Sequence, residues 1–191
     1  MINFSVQPIN KSSQKGVMFI EVLIAVFILT TGILGAAAMQ ASAKKASFDA
    51  MQRSLASSLA QDIIERMRAN DVASLENYQG TNYGDSLNAK PDEAGRCRQA
   101  NSQCNANTIL NNDLYEWELA LMGGDVTNDG VSTGGLIDGI GCINVNDNRV
   151  RVTISWQGKV KLSDAANSSS GVDCGKSGKK RRQVVINAFI M

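Results

Sequence analysis

Residues 17–39 read VMFIEVLIAVFILTTGILGAAAM, and this stretch decides how the rest of the chain is organised. As a helix it extends about 35 Å at ~1.5 Å per residue, enough to cross the ~30 Å hydrocarbon core of a bilayer. It carries a single charge, Glu21. A charged side chain inside such a segment is disfavoured by roughly 2.5–3.5 kcal/mol on insertion scales, so Glu21 calls for a functional reading and a partner.

Outside this stretch, composition narrows the classes. The chain has 191 residues, 19 basic and 18 acidic side chains and a net charge of +1. Such near-neutrality gives no global argument for nucleic acid or an acidic substrate. About 120 residues remain for a globular part, enough for one modest core. There is no histidine, which removes the commonest general base and the commonest metal ligand. No constellation of nucleophile and base is present, so an enzyme is not expected, nor is a cofactor. All four cysteines, Cys97, Cys104, Cys142 and Cys174, follow the apolar stretch. An even count on one side fits two disulfides in an oxidising compartment. Zinc is disfavoured by the missing histidine and the missing C-x-x-C spacing. Of the three connectivities, Cys97–Cys104 with Cys142–Cys174 is expected, because the first pair closes a short local loop.

Before the apolar run stands MINFSVQPINKSSQKG, polar and without acids. Three readings compete. A secretory signal peptide would find a cleavage site at Ala36-Ala37-Ala38, but its apolar core would be too long and would hold Glu21. A plain signal anchor explains the length and leaves the glutamate unexplained. The third reading is a leader ending at Gly16, cut away from a retained membrane helix. Charge does not orient the segment, since Lys11 and Lys15 before it balance Lys44 and Lys45 after it. The cysteines place the C-terminal part outside the cytoplasm.

Helical patterning continues past Met39. Phe48, Met51, Leu55, Leu59, Ile63 and Met67 recur at steps of three or four, with charged and amide side chains between them. No proline occurs from residue 17 to 90, and Asn70-Asp71 is a plausible end. The expectation is one continuous helix of ~54 residues, roughly 80 Å long. Its first half is apolar all round, and its second half must bury one face in a head.

The run Lys15-Gly16-Val17-Met18-Phe19-Ile20-Glu21-Val22-Leu23 closely resembles the signal of type IV prepilins and type II secretion pseudopilins. The resemblance implies cleavage by the prepilin peptidase after Gly16, a methylated new N-terminus at Val17, and Glu21 as the family's glutamate at the fifth mature position. The family usually has phenylalanine where Val17 stands. The new α-ammonium of one subunit can then neutralise Glu21 of its neighbour, turning two isolated costs into an assembly register. The plain alternative is a glutamate snorkelling to the membrane surface. Ser58–Asn70, SLAQDIIERMRAN, and Gly32-Ile33-Leu34-Gly35 resemble the PilV class of minor pilins. Major pilins carry a proline where Ala38 stands here.

In the head, residues 71–112 read as an irregular, disulfide-pinned loop region. Asp113-Leu114-Tyr115-Glu116 has the spacing of an N-cap followed by a glutamate at the third helical position. Leu110, Leu114, Trp117 and Leu121 share a face, Gly123-Gly124 ends the helix, and the Trp117 helix with its two glycines again resembles the PilV class. Strands are expected at Ile140–Asn146, Arg149–Trp156, Lys159–Leu162 and Gln183–Met191. In the second of these Val150, Val152, Ile154 and Trp156 point one way, and Arg149, Arg151, Thr153 and Ser155 the other. Ser163–Gly178 reads as a polar loop.

Three weaker patterns remain in the head. Asp125, Thr127 and Asp129 with Gly130 resemble the first half of a calcium loop, but Leu136 stands where the closing glutamate belongs, so a turn is the plainer reading. Gly171–Ser177 misses the P-loop spacing by one residue and lacks a strand–loop–helix setting. Lys179, Lys180, Arg181 and Arg182 form the basic cluster that could touch DNA phosphates. No aromatic is interleaved with them, and a solvated flank of the last strand is the plainer role.

Together these readings give an α+β fold, a pilin-like lollipop in which a long N-terminal helix packs on a small antiparallel sheet. The segments are a cleaved leader (1–16), a transmembrane and fibre-core helix (17–39), its amphipathic half (40–70) and a globular head (71–191). The implied protein is a minor pilin that primes or joins a type IV pilus and supports adhesion, twitching or DNA uptake. Its implied partners are other minor and major pilins, the prepilin peptidase and the inner-membrane assembly machinery. It would sit once through the bacterial inner membrane, head in the periplasm, before entering the pilus. The alternatives are a type II secretion pseudopilin and a fibre-displayed module that binds DNA or a surface.

Overall fold

The computed structural model describes residues 16–87, 91–92, 96–98, 102–124, 127–128, 131–132, 134–167 and 171–191. Helix α1 runs Phe19–Ala69. Its residues divide between two compact units, Met1–Ala43 and Lys44–Met191. In the first unit the hydroxyls of Thr30 and Thr31 donate to the carbonyls of Phe27 and, for Thr31, also Ile28. Both threonine hydroxyls are thereby satisfied within the helix itself.

In the second unit α1 buries Gln52, Ala56, Leu59, Ala60, Ile63, Ile64 and Met67. This corrects the expected stripe at its start: Met51 is 56% exposed, and Phe48 and Leu55 are only half-buried. Each step of four residues overshoots a 3.6-residue turn by ~40°, so four such steps carry Met51 ~160° away from Met67. Gln52 and Ala56 occupy the inward positions instead. The Gln52 amide donates to the Gly135 carbonyl at 3.4 Å and accepts from the Ile137 N–H at 3.1 Å, so its burial leaves neither end unpaired.

The region read as irregular holds more order than expected. A 3-10 helix, Val72–Tyr78, is capped by Asp71, whose carboxylate accepts from the Ala73 N–H at 3.0 Å. Strand β1 follows at Gly80–Tyr83. Helix α2 spans Ala106–Met122 and starts seven residues before the cap expected at Asp113. The working cap is Asn105, whose side chain accepts from the Thr108 N–H at 3.0 Å. Asp113 imitates a cap in sequence because its carboxylate is required by tertiary partners, Tyr78 and Arg66. The C-terminus is as expected, with Gly123 left-handed at φ 72°.

Short strands β2 (Thr127–Asn128) and β3 (Val131–Ser132) pair with each other. Strands β4 (Ile140–Asn146), β5 (Arg149–Gln157) and β6 (Arg181–Phe189) follow, with a 3-10 turn at Ala165–Asn167. The main sheet is antiparallel in the order β1-β4-β5-β6. Its inner face carries Val150, Val152, Ile154 and Trp156, all buried as the alternation predicts.

The core lies between α1, α2 and this face. Trp117 is fully buried, meets the Tyr83 ring edge-on at 5.6 Å and donates its indole N–H to the Leu59 carbonyl at 2.9 Å. A Cβ at Gly141 of β4 would lie 2.3 Å from the Trp117 ring, so that strand position requires glycine.

Two further expectations fail. Lys159–Leu162 is not a strand. Its first N–H, that of Lys159, goes instead to the Asp49 carboxylate of α1 at 3.0 Å, and the Lys159 ammonium lies over the Phe48 ring. Thr153 and Ser155, on the outer face of β5, are buried and not solvent-facing. The chain around Cys174 covers them, pinned there by a disulfide to Cys142.

Candidate functional site

From Gly16 to Ser47 every residue of the chain is exposed. Val17, Phe19, Phe27 and Leu34 each expose two thirds or more of their surface. The helix is long and apolar enough to cross a membrane by length and composition, and none of its most apolar window is buried within the chain. An apolar surface of this extent marks a contact with membrane or protein. Gly16, Val17 and Met18 precede the helix, which opens at Phe19 with Glu21 in its first turn. The Glu21 N–H closes that turn on the Met18 carbonyl at 2.9 Å. A carboxylate in the first turn is favoured by the partial positive charge of the unpaired N–H groups there.

In the head both expected disulfides form, Cys97–Cys104 and Cys142–Cys174. They secure different things. Cys97–Cys104 precedes α2 and neighbours a cluster of ion pairs which the sequence pattern did not reveal. Arg66 of α1 meets Asp62 at 2.9 Å, Asp113 at 3.1 Å and Glu116 at 3.0 Å. Arg96 and Arg98, flanking Cys97, both reach the other oxygen of Glu116. One carboxylate therefore joins α1, α2 and the disulfide loop. Burial pushes the Glu116 carboxyl upward, but hydrogen bonds from Arg66 and Arg98 outweigh it and hold the group below its ordinary range. Asp113 goes the other way: burial raises it, and hydrogen bonds from Tyr78 and Arg66 offset that only in part. Spacing could have suggested only Asp62–Arg66, an i,i+4 pair.

The basic cluster does not present four cations together. Lys179 and Lys180 are exposed in a turn, whereas Arg181 is buried at the start of β6. Its guanidinium is gripped by Asp164 and meets Asp173 at 3.1 Å. Arg182 is half-buried and donates to the Val160 carbonyl at 2.6 Å and the Arg181 carbonyl at 3.3 Å. Asp164 also accepts from the Gly178 N–H at 2.7 Å and the Ala166 N–H at 3.1 Å. The Arg181 hydrogen bonds, followed by those backbone donors, draw its carboxyl down to about 2. The calcium pattern cannot be placed: Asp125 and Asp129 lie outside the described residues, and Thr127 enters only through the backbone of β2. Among the described residues no three His, Cys, Asp or Glu side chains gather as a metal site.

Residues 38–115 match the family model described as Tt1218-like, Type IV pilin Tt1218. The matched stretch holds the later part of α1, the 3-10 helix, β1 and the first half of α2, and stops short of the strands β4–β6. No curated protein and no solved structure matches the chain. Over the matched stretch the chain is similar to a type IV pilin, and its long N-terminal helix packed on a four-stranded antiparallel sheet has the α+β form of a pilin.

Proposed function

We propose that this chain is a minor pilin of the PilV class, made as a precursor and cut after Gly16 by the prepilin peptidase. The observation that carries the proposal is the apolar start of α1, which buries nothing of itself within the chain and holds Glu21 in its first turn. A family match over residues 38–115 supports a pilin subunit largely independently, because it begins past Glu21 and nearly all of that segment. The chain is then the substrate of the peptidase and a structural subunit.

Cleavage would free the Val17 α-ammonium, and methylation would keep its charge. The segment would first anchor the chain in the inner membrane, with the disulfide-bearing head in the periplasm. It would later pack against other pilins, where the ammonium of one subunit neutralises Glu21 of the next. Priming or joining the fibre, and through it adhesion, twitching or DNA uptake, are the roles such a subunit would serve.

N-terminal sequencing and intact mass of the protein from cells test the proposal. The expected mature chain begins at Val17 with a methylated amine. A start at Met39, or a retained Met1, overturns it. In the same cells Glu21→Gln is expected to be processed normally yet to fall at least about tenfold in sheared fibres, read by immunoblot, as the loss of a buried ion-pair partner implies.

A further inference from the structure

The outer face of the sheet is divided in two. Toward one end, Thr153 and Ser155 lie buried beneath the Cys174 segment. Toward the other, the face is open and forms a hollow of about 680 Å3 beside Asn144, Asn146, Arg149, Arg151, Asn187 and Phe189. This is within the ~300–1,000 Å3 range of small-ligand clefts.

Strand register sets these side chains in two rows. Asn146 pairs with Arg149 and Arg149 with Phe189, while Asn144 pairs with Arg151 and Arg151 with Asn187. All six are exposed. Strands β4, β5 and β6 contain no acidic residue, and Arg149 and Arg151 form no ion pair among the described residues, although Asp147 lies in the turn between β4 and β5. Arg151 Nε donates to Asn187 Oδ1 at 2.9 Å, which steadies the guanidinium and leaves its two terminal nitrogens without a protein partner among the described residues. The side chains of Arg149, Asn144 and Asn146 likewise have none.

We infer that this open half-face binds an acidic saccharide, one whose ring carries a carboxylate. A guanidinium fork matches a carboxylate with two parallel hydrogen bonds. Asparagine amides offer a donor and an acceptor each, the combination that hydroxyl groups of a sugar satisfy. Phe189, 56% exposed, supplies an apolar face for the C–H side of the ring. A cation is excluded by the charge. A long nucleic-acid strand fits less well, since the face has one aromatic to stack on, no lysine, and a covered end that blocks a continuing polymer.

The test uses the full chain in a detergent without a sugar head group, with trigalacturonate as probe. Calorimetry should show binding, and neutral galactotriose should bind at least about tenfold more weakly. Arg151→Gln and Arg149→Gln should each weaken trigalacturonate at least about tenfold, the loss of one charge-assisted pair. Phe189→Ala should weaken it severalfold. The thermal melt of each variant should stay that of the parent, and the double variant K179Q/K180Q should bind as the parent does. Binding absent up to about 10 mM, or equal affinity for galactotriose, overturns the inference. Tighter binding of a ten-nucleotide oligo-dT, lost in the same arginine variants, overturns it in favour of nucleic acid. None of these readings depends on whether the chain enters a fibre.

Discussion

Helix α1 contains two stretches of one secondary structure with opposite relations to the rest of the chain. Up to Ala43 it is apolar on every side and exposes all of it. Beyond Lys44 it is amphipathic and commits one side, from Gln52 to Met67, to the core. The most continuous apolar surface of the molecule is thus the part its own fold leaves unused. Hydrophobicity alone does not say which surface a chain buries in itself; periodicity does. A stripe about 100° wide serves one side, the head core made by α2 and the sheet, whereas an all-round apolar helix needs an environment on every side, such as lipid or a bundle of like helices. The buried core and the exposed apolar surface are therefore carried by separate residues and are open to separate attack.

The largest expected effect tests that separation. Trp117→Ala removes a fully buried ring, its edge-on contact with Tyr83 and its hydrogen bond to Leu59. It should cost the head about 3–5 kcal/mol in denaturant titration of the full chain in micelles. Ile24→Ala, in the exposed stretch, should change the head by less than about 0.5 kcal/mol. A comparable loss from Ile24→Ala would show that the first stretch supports the head and would break the comparison.

A smaller effect separates the two cross-links of the head. Cys142–Cys174 closes a loop of separation 32, and Cys97–Cys104 one of separation 7. Loop-closure entropy assigns roughly 3.7 kcal/mol to the first and roughly 2.4 to the second. Serine pairs at each should follow that order in melting temperature. Opening the Cys142–Cys174 link should also expose Thr153 and Ser155, seen as faster exchange of the β5 amides, while the Cys97–Cys104 variant leaves β5 protected. The reverse order would mean that the Arg96–Glu116–Arg98 contacts, and not chain entropy, set the worth of the shorter link.

What the sequence shows of this architecture follows from the range of the forces involved. The long helix, the inward side of the β5 alternation and the end of α2 at Gly123 are written in local periodicity and backbone preference, and each is found where expected. The disulfide pairing follows from loop length. The misplaced start of α2 and the unseen ion cluster share one cause: Asp113 and Glu116 are chosen for partners up to 50 residues away, so locally they imitate a cap. Strand β1 was invisible because it is an edge of four residues with two exposed, too short to alternate. The division of the basic cluster was equally hidden. Nothing near Arg181 in sequence shows that Asp164, 17 residues away, takes its charge out of solvent. The stretch read as the assembly surface was the most legible part, because an apolar helix with a lone Glu21 needs no tertiary information to be conspicuous.

The smallest expected effect concerns pH, and it distinguishes the exposed stretch of α1 from the head by their carboxylates. Asp164 is held near 2 by Arg181 and the Gly178 N–H, below its ordinary value near 4. A depressed carboxyl contributes stability that is fully present above the unfolded value and is lost as pH falls from about 4 toward about 2. Asp113 runs in the opposite sense. Its raised carboxyl favours the folded state most at low pH, and that contribution fades as pH rises through the raised value. The acid limb of the head is therefore a partial cancellation, and Asp164→Asn isolates one side of it. The variant should melt below the parent at pH 7, and the gap should narrow steadily as pH is lowered toward about 2, where about half of the parent carboxyl is protonated. Glu21→Gln should leave the melting curve of the head unchanged at every pH, since its stretch is exposed throughout. A gap for Asp164→Asn that stays constant with pH would show that the carboxylate matters by shape and not by charge. A pH-dependent gap for Glu21→Gln would show that the exposed stretch reports on the head after all.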